Sequence, residues 1–114
     1  MDDRRQNSRH TPELNMELYD LHSGRRLGRI VDLSAEGLML FSDAPLEVDS
    51  VWECRLVLDE PVDSIGEIRL GADCLWSRPG ANGQHGWSGL HIIDLADDQA
   101  AALDTVLHFM RPAH

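Results

Sequence analysis

RLGRIVDLSAEGLMLF, residues 26–41, is the stretch of sequence that decides the fold. Its apolar residues predict one strand over residues 26–33 and a second over residues 38–41. The residues at the junction read DLSAEG (32–37), which are types that turn the backbone or hydrogen-bond to it. We therefore predict two adjacent strands joined by a tight connection.

Period-two alternation continues on both sides of this stretch, as half-buried strands require. It predicts further strands from about residue 13 to 18, 51 to 58, 65 to 76 and 87 to 95. Asp59-Glu60-Pro61 is predicted to end the fourth of the six strands. The residues predicted to share a face are Leu14, Met16 and Leu18 on the first strand, Trp52, Cys54, Leu56 and Leu58 on the fourth, and Ile68, Leu70, Ala72, Cys74 and Trp76 on the fifth. Six strands without intervening helices predict an antiparallel barrel or sandwich.

The end of the chain has a helical pattern instead. Asp97 and Asp98 suit the start of a helix, and apolar residues recur at helical spacing until Arg111-Pro112. These apolar residues are Leu103, Val106, Leu107 and Met110. We predict a helix over about 97–110 that either plugs one mouth of the barrel or packs on its side.

Length and composition indicate one globular domain. The chain has 114 residues, 42% of them hydrophobic, and no apolar run near the roughly 18 residues of a membrane span. Residues 1–12 are polar and aperiodic, which predicts a flexible N-terminal tail before a barrel domain at 13–114. The first residues lack the apolar core of a signal peptide, so we expect a cytoplasmic protein without membrane insertion. Cys54 and Cys74 lie in apolar strands, and we expect them to pack in the core as free thiols.

The distribution of charge argues against an extended nucleic-acid interface. The net charge is −10, yet all ten basic residues are arginines, and the first 31 residues carry +1 while the remaining 83 carry −11. Nucleic-acid affinity needs a broad basic face that neutralises many phosphates. A few arginine side chains are enough to hold a small anion.

Catalytic and metal-binding patterns are absent from the sequence. Ser34 lacks the Gly-x-Ser-x-Gly context of a hydrolase nucleophile. The six histidines have no metal-ligand spacing and no accompanying Cys-x-x-Cys. We therefore predict neither an enzyme nor a bound metal or cofactor.

Two short patterns remain. Arg5 and Arg9 form Arg-x-x-x-Arg just before the first strand, and Asp32, Ser34 and Gly37 form Asp-x-Ser-x-x-Gly between the second and third strands. The arginine pattern is weak alone, because residues 25 and 29 repeat it. The order of both motifs along a six-stranded chain with a terminal helix is much more specific.

This arrangement resembles the PilZ domain family over nearly the whole chain. Residues 3–9 look like the family's N-terminal arginine motif, and residues 32–37 match its second motif at every specified position. Leu75-Trp76 and residues 89–95 are similar to later family strands. The resemblance implies a six-stranded antiparallel barrel that binds the bacterial second messenger cyclic di-GMP.

The chemistry of that ligand suits these residues. Arginine forks at Arg5 and Arg9 can hold phosphate or the O6/N7 edge of guanine, and the Asp32 carboxylate can accept from guanine N1 and N2. Ser34 can bond a base, a phosphate or its own turn, so a purely structural Asx-type turn is also open. Gly37 would permit a positive φ or a close backbone approach to the ligand.

The roles of two further residues are left open by the sequence. Trp76 could stack on guanine or pack in the core, whereas Trp52 and Trp87 are predicted to pack. In the family, an arginine at the position of Arg4 resembles members that hold two stacked cyclic di-GMP molecules, so two ligands per chain are expected. We expect the tail to be mobile until ligand orders it. The signal then passes to an unidentified protein partner. The alternative is a barrel of the same family that serves as a protein adaptor without binding nucleotide.

Overall fold

Six strands account for most of residues 14–110, the part of the chain that the computed structural model describes. They are β1 (Met16–Asp20), β2 (Arg26–Leu33), β3 (Gly37–Ser42), β4 (Val51–Val62), β5 (Ile65–Pro79) and β6 (Gly86–Asp94). All neighbours are antiparallel, and the strands close into a barrel in the order β1, β2, β3, β6, β5, β4. Closure pairs every strand on both sides and leaves no sheet edge. The predicted six-stranded antiparallel barrel is confirmed.

The interior of the barrel is filled by the alternate side chains that the period-two pattern selects. Leu18, Leu40, Leu56 and Ile68 are fully buried. Cys54 and Cys74 are also buried and form no disulfide. Burial raises the pKa of the Cys54 thiol to about 12, so this group stays protonated and packs as a small apolar side chain.

One strand is longer than the sequence predicts. β4 continues through Asp59-Glu60-Pro61 to Val62, where a two-residue turn at Asp63 and Ser64 starts β5. Both turn residues have positive φ, the geometry of tight hairpin turns. The pairing of β4 with β5 shifts between Val57 and Val62, so Pro61 lies in an irregular part of the ladder where a missing N–H is tolerated.

A single helix, α1 (Asp97–Met110), follows β6. Its buried residues Leu103 and Val106 join the barrel core, and Gln99 accepts a hydrogen bond from the Arg69 backbone N–H on β5 at 2.7 Å. Its last turns face Leu33, at the end of β2, and Ala35 across a shared cavity. The helix therefore crosses the mouth of the barrel from β5 towards the β2–β3 turn. Of the two packings predicted, this is the one in which the helix plugs the mouth. No helix in residues 14–110 is long and apolar enough to cross a membrane.

Candidate ligand-binding site

Four of the residues predicted for the site line one open pocket on the outer face of the barrel. The pocket has a volume of about 290 Å³ and lies beside the plugged mouth. Its lining includes Asp32, Ser34, Gly37 and Trp76, together with Leu38, Met39, Leu75, Gly89 and Leu90. Trp76 is far from the motif in sequence, and it reaches the pocket because β3 pairs with β6 and β6 pairs with β5.

A β-bulge in β2 directs the Asp32 side chain outward. Ile30 lies opposite Leu40 and points inward, and the next paired residue is Asp32, opposite Met39, so Val31 is the extra residue. Strict alternation would place Ile30 and Asp32 on the same, interior face. The bulge instead leaves the carboxylate exposed at the surface, where Oδ1 accepts a hydrogen bond from the Leu33 N–H at 3.1 Å.

Ser34 holds the connection between β2 and β3 in shape. Its N–H donates to the Gly37 carbonyl at 2.9 Å, and its hydroxyl donates to the same carbonyl at 3.2 Å. The hydroxyl oxygen also accepts from the Glu36 and Gly37 N–H groups, both at 3.3 Å. The structural turn role left open by the sequence is therefore present, and the exposed hydroxyl still faces the pocket.

Gly37 is required by packing within the barrel. Its φ is not positive, contrary to one of the two roles suggested by the sequence. A Cβ at this position would overlap the backbone carbonyl oxygen of Leu90 on β6. The close approach is thus between β3 and β6, and the predicted approach to a ligand is not needed to explain the glycine.

A second bulge, in β5, reverses the direction of Trp76. Cys74 lies opposite Leu90, the next paired residue is Trp76 opposite Gly89, and Leu75 is the extra residue. Cys74 is buried, whereas 40% of Trp76 is exposed. Trp76 therefore does not share the interior face with Cys74, and the core-packing alternative for Trp76 is wrong.

Two residues that sequence reasoning missed hold the indole in place. A Cβ on Gly89 would overlap Trp76 Nε1 and lie 2.5 Å from its Cε2, so only glycine leaves room for the ring. The guanidinium of Arg78 lies 5.9 Å from the Trp76 ring centroid, a cation–π contact. A glycine inside a strand often marks a close approach by another group, so Gly89 could have indicated this contact from the sequence.

Trp87, predicted to pack in the core, is instead 38% exposed on the outside of the barrel.

Arg4, Arg5 and Arg9 lie outside the described residues. The described part of the chain begins at Leu14, two residues before β1.

The described residues give no indication of a metal centre. They contain no group of three or more His, Cys, Asp or Glu side chains that could hold an ion. His91 and Asp73 lie 3.6 Å apart between Nδ1 and Oδ1, and they form a pair rather than a group of three. The arrangement offers a carboxylate and a hydroxyl that can hydrogen-bond to the edge of a base, and an aromatic ring that can stack on its face.

Fold and site together define a class of protein, a small closed antiparallel barrel with an exposed pocket next to a helix-plugged mouth. The family model of the PilZ domain matches residues 3–109, and the chain belongs to this family. The membership predicted from the two motifs is confirmed. PilZ domains are regulatory receptor or adaptor domains, and the family includes cyclic di-GMP receptors.

Solved structures share the fold at low sequence identity. The PilZ domain of Escherichia coli YcgR with c-di-GMP has a TM-score of 0.60 at 10% identity, covering 93% of this chain and 92% of that one. K. pneumonia MrkH in its apo state has a TM-score of 0.62 at 16% identity, covering 96% and 53%. The Bacillus subtilis inhibitor of motility, MotI/DgrA, has a TM-score of 0.55 at 20% identity, covering 92% and 50%. This chain spans about half the length of the last two. Comparison with curated protein sequences gave no match.

Proposed function

We propose that this protein is a receptor for cyclic di-GMP. The observation that carries the proposal is the pair of bulges that turn Asp32 and Trp76 outward into one pocket with Ser34. Without the bulges, strict alternation would place the Asp32 carboxylate and the Trp76 indole inside the barrel. Bulges of this kind commonly redirect side chains next to binding sites. YcgR, which shares the fold, was solved with the same ligand.

Each pocket group has a defined task in this proposal. The Asp32 carboxylate accepts from guanine N1–H and N2–H, which adenine cannot reproduce. Within residues 14–110 its second oxygen, Oδ2, accepts no hydrogen bond from protein, so it is available. The Trp76 ring stacks on the base, and Arg5 and Arg9 bind phosphate or the O6/N7 edge by bidentate forks.

Ligand binding orders residues 1 to about 12 over the pocket in this proposal. A segment with so little apolar content cannot offset its ordering entropy alone, and the ligand supplies the missing contacts. Amide relaxation measurements on the tail, with and without cyclic di-GMP, test this step. Tail amides as rigid as those of the barrel strands before ligand is added would contradict it.

The β2–β3 turn provides a route from the pocket to a protein partner. Ser34 lines the ligand pocket and also a second cavity of about 320 Å³ between the turn and α1, together with Asp104, Leu107 and Met110. Phe109 on the same helix is 44% exposed. We propose that the ligand-bound turn repositions the end of α1, which a protein partner in the cytoplasm reads. Hydrogen exchange at residues 107–110 should change on ligand addition.

The direct test is a calorimetric titration with cyclic di-GMP. Asp32→Ala should weaken binding about 10- to 100-fold, because a good bidentate contact to a base contributes about 1–3 kcal/mol. Asp59→Ala is the matched control, because it removes an exposed carboxylate on β4 that does not line the pocket. Cyclic di-AMP should bind far more weakly than cyclic di-GMP. A wild-type protein that binds no cyclic di-GMP up to about 1 mM would favour the adaptor alternative instead.

A further inference from the structure

A second row of outward side chains lies beside the pocket. Barrel register aligns Arg29 on β2 with Phe41 on β3, Phe41 with Trp87 on β6, and Trp87 with Arg78 on β5. We name these four residues the aromatic row. The pocket residues Asp32, Met39, Gly89 and Trp76 form a parallel row across the same four strands. The two rows are about 7 Å apart on β3, β5 and β6, where they are separated by two residues.

The middle of the aromatic row is a platform of rings on the barrel surface. The centroids of Phe41 and Trp87 are 4.9 Å apart with the rings tilted by 55°. His85 stacks on Phe41 at 5.5 Å with an interplanar angle of 25°. Trp87 is 38% exposed, so its ring is available to a ligand.

Cations stand at both ends of this platform. Glu17 lies opposite Arg29 in the ladder, but its Oε1 accepts from the Tyr19 hydroxyl at 2.9 Å and pairs with Arg26 Nε at 3.5 Å. Among residues 14–110, neither Arg29 nor Arg78 has a carboxylate within 4.0 Å. On a chain of net charge −10, two arginines with no acidic partner in residues 14–110 indicate a surface suited to an anion.

The aromatic row is continuous with the pocket and enlarges it. Arg78 belongs to the aromatic row, and its guanidinium contacts the Trp76 ring of the pocket row. The pocket alone has a volume of about 290 Å³, at the lower limit of the roughly 300–1,000 Å³ found for sites that enclose drug-sized ligands. A cyclic dinucleotide with two bases and two phosphates therefore needs more surface than the pocket row supplies.

We propose that the aromatic row binds a second guanine together with a phosphate. The base stacks on Trp87, and Arg29 and Arg78 bind the phosphate or the O6/N7 edge of the base. This inference rests on the proposed function and extends its site. Of the second Arg-x-x-x-Arg pair, Arg29 belongs to this site, whereas Arg25 lies outside it, in the hairpin before β2.

The second guanine has two possible sources with the same chemistry. It is either the other half of the cyclic di-GMP molecule held by Asp32 and Trp76, or part of a second molecule. Binding stoichiometry separates them. If the aromatic row binds the other half of the same molecule, substitutions in the row lower the affinity and leave the stoichiometry unchanged. If the row binds a second molecule, the same substitutions reduce the stoichiometry by one ligand per chain.

The experiment is a calorimetric titration of the full chain with cyclic di-GMP. Trp87→Leu, Arg29→Gln and Arg78→Gln should each weaken at least one binding step about 10-fold or more. Arg25→Gln is the control and should stay within about twofold of wild type. The glutamine variants alter exposed positions, so they test the proposal even if Trp87→Leu fails to fold. Wild-type binding with all three variants unchanged would overturn this inference alone. No wild-type binding would overturn the proposed function and the inference with it.

Discussion

The indole of Trp76 occupies the space that a side chain on Gly89 would need. A Cβ on Gly89 would overlap Nε1 of the ring, although the two residues belong to different strands and are paired only through the bulge at Leu75. The position of the aromatic group in the pocket therefore depends on a residue with no side chain of its own.

Gly89→Ala should displace the Trp76 ring and weaken cyclic di-GMP binding about 10-fold or more. Overpacking at this contact should also lower the free energy of unfolding by about 1–3 kcal/mol. Gly66→Ala is the matched control, because a Cβ there meets no atom within 4 Å. Tryptophan fluorescence and titration together check the result. Unchanged affinity in a folded Gly89→Ala protein would show that the ring is not part of the site.

Arg5→Ala or Arg9→Ala should abolish most binding while the unfolding midpoint barely moves. Arg5→Lys should also weaken binding, because an ammonium cannot reproduce the bidentate fork. Arg25→Ala supplies the same loss of charge away from the pocket and should leave affinity within a few-fold of wild type. Equal losses at Arg5 and Arg25 would mean that general positive charge, rather than motif geometry, holds the ligand.

Wild-type protein should bind two molecules of cyclic di-GMP, and Arg4→Leu should reduce the number toward one with weaker binding. Two stacked ligands bring four phosphates together, and a third guanidinium offsets their repulsion or stacks on an exposed guanine. Calorimetry with an accurately known active fraction measures the number. A one-to-one endpoint for the wild type at saturation would contradict this prediction.

Ser42 and Ser88 form a matched pair of fully buried hydroxyls in the barrel. The Ser42 hydroxyl donates to the Gly86 carbonyl at 3.0 Å, whereas the Ser88 hydroxyl has no partner among the described residues. Ser42→Ala should cost about 1 kcal/mol of unfolding free energy, and Ser88→Ala should be neutral or raise it by a similar amount. Urea denaturation compares the two. A loss at Ser88 equal to that at Ser42 would show that the Ser88 hydroxyl is bonded in solution.

The fold was largely predictable because alternation is strict where the strands are regular. Leu18, Leu56 and Ile68 follow it and are fully buried. Pattern reasoning failed where one strand carries an extra residue. The period-two pattern predicts that Trp76 lies inside the barrel with Cys74, and no local feature of the sequence indicates that Leu75 is unpaired. A bulge is set by pairing with a distant strand, so local periodicity cannot locate it.

The candidate site was predictable in its motif and not in its surroundings. Asp32, Ser34 and Gly37 lie within six consecutive residues, so the short β2–β3 connection alone brings these three residues close together. Trp76 joins them only through the order β3, β6, β5 in the closed barrel, and Arg78 and Gly89 come with it. Contacts of this kind depend on long-range register, which the sequence specifies only through the whole fold.

The contact between Gly37 and the Leu90 carbonyl changes how the Asp-x-Ser-x-x-Gly motif should be read in other chains. Because the glycine is needed for β3 to pair with β6, we expect a barrel with the same pairing to keep it whether or not it binds a nucleotide. Its presence is then a marker of architecture, and it carries little information about activity. Asp32 and Trp76 are held outward by bulges and are not needed to fill the core, so a barrel that had lost its ligand would be free to change them. Searches for active receptors among divergent sequences should weight those two positions above the glycine.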